Sequence, residues 1–269
     1  MRKNKMAAVC LLAAFIFIGC WDQQPINRLS IVFGLGFDPG SEGGKSIRLI
    51  VGSPVFNEDA NSTRVTKEAE GRTFGEALRT LQRRSNARLV LGKVKIVLFN
   101  AEMAKEGIDA VLHQLDHDFQ FNSRAFLLVT ENKAADIFHF RLGETERIST
   151  YIEEMLFSSA ERVSAVPPVR FTDFLIKLES RHDHGYIPLV TIKEEEGELH
   201  LTGLAVFRQG RMVGTYNLNE TVAVMLVCGE LWNKGHTFEM EGYGGDIVSV
   251  RIMGGGAASK WCSLVPGRK

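Results

Sequence analysis

LVLGKVKIVLF, residues 89–99, is the most strand-like stretch in this 269-residue chain. On its amino-terminal side, Thr73 and Glu76 have capping-box spacing, in which each side chain can satisfy a backbone N–H at a helix start. Phe74, Leu78 and Leu81 follow at i, i+4 and i+7, so they share one helical face. Arg79, Arg83 and Arg84 occupy the carboxyl-terminal half of that helix, where cations suit its dipole. Beyond the strand, Asn100 is placed to cap a further helix whose core face is Ile108, Val111, Leu112 and Leu115. Residues 124–130 (RAFLLVT) read as another, central strand, and 133–140 and 147–160 as helices. Alternating strands and helices over residues 65–140 predict an α+β fold, a mixed β-sheet with covering helices.

Further out on the amino-terminal side, residues 28–37 (RLSIVFGLGF) read as a strand. The turn cluster 39–44 joins it to a returning strand over 47–51. Residues 57–63 are loop-like, and 65–71 form a polar strand. On the other side, Pro167 and Pro168 break the chain before a short helix marked by Phe171, Phe174, Leu175 and Leu178. Residues 186–192 make a strand, and the charged run 193–198 (KEEEGE) reads as a solvated connector. The boundary falls there: an N-terminal α+β domain over 28–195, then a second, smaller α+β domain over 199–253. The second unit opens on a hairpin, LHLTGLAVF and MVGTYNL around Arg208–Arg211. A helix starting at Asn219 and Glu220 and strands over 236–240 and 247–253 follow. Residues 254–269 lack periodicity and read as a disordered tail.

The first 22 residues decide where the chain goes. Arg2, Lys3 and Lys5 precede an apolar run from Met6 to Ile18, closed by Gly19 and Cys20. That is the layout of a secretory signal. The run has 13 residues, short of the ~20 needed to span a bilayer. Phe17-Ile18-Gly19-Cys20 is similar to a bacterial lipobox, with Phe17 where Leu is usual. The similarity implies a signal peptide over 1–19, a diacylglycerol on the Cys20 thiol, and a connector over 20–27. The competing readings are a simple secretory peptide and an uncleaved anchor. Two acyl chains hold a protein on a membrane where one gives only marginal binding. No later apolar run reaches ~18 residues.

The chain has 32 cationic and 32 anionic side chains, and without residues 1–19 its net charge is −3. That balance argues against nucleic-acid binding. Of the four cysteines, Cys10 leaves with the signal and Cys20 is the lipidation candidate. Cys228 and Cys262 can pair in an exported protein, but Cys228 sits in the apolar run VAVMLVC and reads better as a buried thiol.

Four candidate sites fail on spacing or context. Gly40–Ser46 superficially matches a phosphate-binding loop, but Pro39 stands where a glycine is needed and a strand follows instead of a helix. Gly34-x-Gly36 lacks the third glycine of a dinucleotide fingerprint, and strand glycines usually mark a bulge or a close approach. His113 and His117 have a zinc-compatible i, i+4 spacing with Asp116 and Asp118 beside them, but helical geometry points them away from the apolar face. His182-Asp183-His184 lies in a loop and is nonspecific. No nucleophile motif occurs, so no catalysis and no cofactor is implied.

The chain is identified as similar to the Ger(x)C family, lipoprotein C subunits of nutrient germinant receptors in spore-forming bacteria. The resemblance rests on Gly19-Cys20-Trp21-Asp22, IVFGLGFD at 31–38, EGRTFGEA at 70–77, RRSNARLVLGKVKIVLFN at 83–100 and LTGLAVFRQGRMVGTYNLNET at 201–221. It implies an α+β fold in successive domains and no catalysis. It also implies partnership with two integral membrane subunits of A and B type at the inner spore membrane. Only Cys20 carries over as a functional position. Family members continue into a further α+β domain where this chain ends in GGGAASKWCSLVPGRK, which implies a missing domain and a frameshift or premature end. The alternative reading is a solute-binding lipoprotein of a transporter.

Overall fold

A computed structural model describes residues 28–54, 64–140, 147–158, 166–180, 185–193, 196–227, 236–241 and 247–252. In chain order, β1 (Leu29–Ile31) leads into the hairpin of β2 (Gly34–Gly40) and β3 (Gly43–Pro54), then β4 (Arg64–Gly71) and α1 (Phe74–Arg84). β5 (Arg88–Val90), β6 (Ile96–Asn100), α2 (Ala101–Glu106), α3 (Asp109–Asp116) and β7 (Phe126–Thr130) follow. Next come α4 (Ala134–His139), α5 (Ile148–Ser158), α6 (Phe171–Glu179) and β8 (Gly185–Lys193). The hairpin of β9 (Glu198–Arg208) and β10 (Arg211–Asn217), then α7 (Leu218–Val227), complete the main body. β11 (His236–Glu241) and β12 (Ile247–Ile252) form a separate antiparallel hairpin.

The main sheet has eight strands in the order β10-β9-β8-β7-β6-β2-β3-β4. The central four, β8, β7, β6 and β2, run parallel. Antiparallel hairpins extend both edges. Parallel neighbours need long crossovers. α2 and α3 supply one between β6 and β7, and α4, α5 and α6 supply the next. The central strands are covered on both faces and so read as nearly continuous apolar runs. In β6, Val97 and Phe99 join the core cluster under α1, α2, α3, α6 and α7. Ile96 and Leu98 join the one under α4 and α5. Phe37 anchors the first cluster, stacked on Phe99 at 5.1 Å and tilted against Phe74 at 6.0 Å.

The α+β expectation and the order of elements hold, and four details differ. Residues 89–99 are two strands, because Gly92 and Lys93 turn the chain after Leu91, where the Val94 N–H donates to the Leu91 carbonyl. β5 leaves the main sheet to pair in parallel with β1. The segment 28–37 is likewise split into β1 and β2. The single helix expected after Asn100 is α2 and α3, interrupted at Gly107 (φ 127°), a conformation other residues resist.

The fourth difference concerns domains. The run 193–198 does not separate two units: β8 and β9 pair from Gly185↔Phe207 to Lys193↔Glu198, so Lys193 and Glu198 close a hairpin within one sheet. A solvated turn and a linker have the same composition, and only the pairing register tells them apart. β9 and β10 therefore complete the first sheet instead of opening a second domain. Residues 1–27 and 253–269, with the expected signal, connector and tail, lie outside the described residues, as do 57–63.

Candidate functional site

β2 places its side chains on two faces with period 2. Leu35 and Phe37 enter the core under α1. Gly34, Gly36 and Asp38 face α4 and α5. The glycines leave a trough filled by the Phe138 ring: a Cβ at Gly34, Gly36 or Gly52 would sit 2.6, 2.9 or 2.9 Å from it. Gly34-x-Gly36 is thus a close-approach device. One residue pair on, Asp38 catches the first turn of α4. The Ala134 N–H donates to Asp38 Oδ1 at 2.6 Å and the Ala135 N–H to Oδ2 at 3.0 Å. Asp38 is only 3% exposed. Burial raises its pKa above the usual carboxylate value, although both backbone donors and Arg48 pull the other way.

A polar seam continues along this carboxyl-terminal edge of the parallel strands. Asn100 donates from Nδ2 to the Asn132 carbonyl at 2.9 Å and accepts from the Glu102 N–H at 2.8 Å, capping α2 as its sequence suggests. Asn132 Oδ1 accepts from the Ile192 N–H at 3.1 Å, tying β7's exit to β8. Open α/β sheets bind ligands beyond this edge. Here Asp38, Asn100 and Asn132 spend their hydrogen bonds on backbone groups, so the seam positions helices.

The neighbouring hairpin carries a contrasting carboxylate. Glu70 accepts from the Ser41 hydroxyl at 2.6 Å and the Ser41 N–H at 3.1 Å, and pairs with Arg48 at 2.9 Å. Those bonds, the Ser41 hydroxyl first, hold its pKa down at about 2. Within Gly40–Ser46 the turn is Ser41-Glu42, stapled to β4 through Ser41, and β3 begins at Gly43 where a phosphate-binding loop would need a helix. At α1, the Glu76 N–H donates to Thr73 Oγ1 at 3.2 Å. Glu76 returns the bond to the Arg72 N–H at 3.0 Å, one residue outside the capping box the spacing suggests.

His113 lies exposed on α3 and His117 exposed at its C-cap, both away from the buried face as helical geometry requires. They line an open groove of about 480 Å³ with Phe74, Leu78 and Phe119, which is 92% exposed. His117 Nδ1 lies 2.7 Å from the His113 carbonyl oxygen. Asp116 and Asp118 do not gather with the two histidines as ligands: among the described residues, only Glu196, Glu198 and His200 converge closely enough to hold a metal. That triad was not legible in the sequence. Its carboxylates are exposed, and Glu196 is engaged by Lys193 at 3.1 Å and His200 at 3.0 Å. Cys10, Cys20, Cys228, Cys262, His182, Asp183 and His184 lie outside the described residues.

Comparison with known proteins gives this architecture a family. Residues 22–192 match the model of the spore germination protein N-terminal domain. The chain belongs to that family. The match ends at β8, although the sheet runs on through β9 and β10. Among curated relatives, "Spore germination protein GerQC" of Bacillus cereus is 20% identical over 240 residues, covering 89% of this chain and 66% of that protein. "Spore germination protein KC" of Bacillus subtilis is 29% identical over 147 residues, covering 51% of this chain and 36% of the relative. "Spore germination protein A3" of Bacillus subtilis is 23% identical over 252 residues, covering 89% and 66%. The chain thus spans no more than 66% of the length of these relatives. A solved structure described as the GerBC protein aligns over 82% of this chain and 62% of its own, at 14% identity and a TM-score of 0.38.

Proposed function

We propose that this chain is a noncatalytic subunit of a nutrient germinant receptor, working with two integral membrane subunits in spore germination. The observation that carries the reading is the family match over residues 22–192, which begins two residues after Cys20. In this reading the Cys20 thiol carries diacylglycerol, and the body rests on the outer face of the cell membrane that becomes the inner spore membrane. No helix among the described residues is long and apolar enough to cross a bilayer. The polar seam at the carboxyl edge is consumed by backbone groups, which fits a scaffold that relays or assembles rather than converts a substrate.

Deleting the gene in a strain stripped of sister receptors tests the role. The expected result is lost or delayed release of spore small molecules after addition of one nutrient, restored by the parent gene and not by Cys20→Ala. Mass spectrometry of the amino-terminal peptide should find the acyl chains. Normal germination of the deletion strain on every nutrient would sink the receptor reading.

A further inference from the structure

The four parallel strands give the sheet an amino edge and a carboxyl edge, and the exposed charges divide between them. The amino edge carries Arg28, Arg83, Arg84, Arg88, Lys93 and Arg124, all exposed. Register places them there. Gly34 and Ile96, the first residues of β2 and β6, are paired, and Ile96 pairs with Phe126, the first residue of β7. Leu29 pairs with Arg88, so Arg28 and Arg88 meet where the chain enters the fold. α1 runs toward this edge: its start packs on Gly71, and its C-cap Ser85 accepts from Lys67 Nζ at 2.8 Å, further down β4. Gln82 ties the end of α1 to β5 through the Leu89 N–H at 2.9 Å. Asn122 Nδ2 ties the 122–124 turn to the Val94 carbonyl at 2.8 Å, bringing Arg124 beside the turn of Lys93. Acids also lie near this edge: Asp116 and Asp118 around the end of α3, Glu153, which pairs with Lys95 at 2.7 Å, and Asp173, next to Thr172, whose N–H donates to the Ser123 carbonyl at 3.3 Å. None of the six cations forms an ion pair among the described residues. The carboxyl edge instead exposes Glu42, Glu102, Glu131 and Asp136, with Lys133 among them.

We propose that this cationic amino edge docks on the anionic phospholipid surface to which Cys20 tethers the chain, so that the body lies against the bilayer with its acidic carboxyl edge outward. The proposal rests on Cys20 acylation for its geometry. Only eight residue spacings separate Cys20 from Arg28, a reach of at most about 28 Å, and the first strand pairing among the described residues joins Leu29 to Arg88. The tether therefore delivers the arginines to the headgroups. Unpaired guanidinium groups form bidentate hydrogen bonds to phosphate. Without residues 1–19 the net charge is −3, and a chain so balanced that still concentrates six exposed cations at its tethered end is polarised for this docking. Each cation near an anionic surface strengthens binding by about fivefold.

The full chain, reconstituted with vesicles of phosphatidylcholine or of phosphatidylcholine mixed with phosphatidylglycerol, tests this by flotation and amide hydrogen exchange. The acylated chain floats with both vesicle types. Docking predicts slowed exchange over residues 82–93 on the phosphatidylglycerol vesicles only, reversed by salt. The triple variant Arg83→Gln, Arg84→Gln, Arg88→Gln should lose that protection, while Lys105→Gln with Lys133→Gln keeps it. These are surface changes that leave the fold intact. A chain that proves unacylated should still float with phosphatidylglycerol vesicles, about 100-fold more weakly in the triple variant. Equal exchange on both vesicle types, or a triple variant protected like its parent, overturns the docking. Loss of flotation from neutral vesicles alone overturns the acylation and leaves the docking standing.

Discussion

On the face covered by α1, α2, α3, α6 and α7, β2 offers Leu35 and Phe37, and large side chains from every layer interdigitate around them. On the face covered by α4 and α5, the same strand offers Gly34, Gly36 and Asp38. One face is held by filling volume. The other is held by removing it, so that Phe138 can lie on the backbone, and by a buried carboxylate that fixes the entry of α4. The two arrangements answer different needs. A long helix such as α1 can bury an apolar stripe and be held by area alone. α4 has six residues, too few for a stripe, and needs an aromatic plug and an N-terminal acceptor.

The contrast is broken most forcefully from the filled side. Phe37→Ala removes a fully buried ring in contact with Phe74 and Phe99. It should cost about 3–5 kcal/mol, read as a drop in urea midpoint at constant slope. On the carved side the damage comes from adding atoms. Gly36→Val places a Cβ 2.9 Å from Phe138 and 3.2 Å from the Ala134 Cβ, so α4 must shift. A loss of about 1–3 kcal/mol is expected, and Phe138→Leu in the same chain should recover part of it. If Gly36→Val is neutral, the trough is not what seats α4. Thr73→Ala, which strips the cap from α1, should cost about 1 kcal/mol and leave α4 untouched.

The filled face was largely legible in the sequence, and the carved one was not. Period-3.6 and period-2 patterns locate α1, β6, β7, α6 and the β9–β10 hairpin because each buries its own stripe. Breaks inside apolar runs are harder to see. Gly92-Lys93 and Gly107 interrupt stretches whose hydrophobicity continues on both sides, so their only signal is a glycine. The Asp38 contact joins residues 96 apart in the chain. Its one local trace is that Gly34, Gly36 and Asp38 share a parity in the strand, which predicts that one face of β2 carries no apolar side chain. The mistaken boundary at 193–198 has a similar cause, since charge reports exposure and says nothing of pairing.

The smallest expected effects sharpen the comparison through pH, because two carboxylates of the β2–β4 region, Asp38 and Glu70, are shifted in opposite directions. Asp38's folded pKa is raised above 3.8 by desolvation. The native state then holds its proton more tightly than the unfolded chain. Stability due to this group is full below about 4 and falls as pH rises through the raised value. Glu70's folded pKa is lowered from 4.5 to about 2 by Ser41 and Arg48. Its contribution is present above about 4.5 and disappears as pH falls toward 2. Measured by urea unfolding between pH 2 and 7, the parent should therefore lose ground to Asp38→Asn on going up from pH 4. It should lose its advantage over Glu70→Gln on going down from pH 4.5. A parent whose margin over Asp38→Asn grows with pH would mean that the Ala134 and Ala135 N–H donors outweigh burial, and that α4 is held by charge more than by the glycine trough.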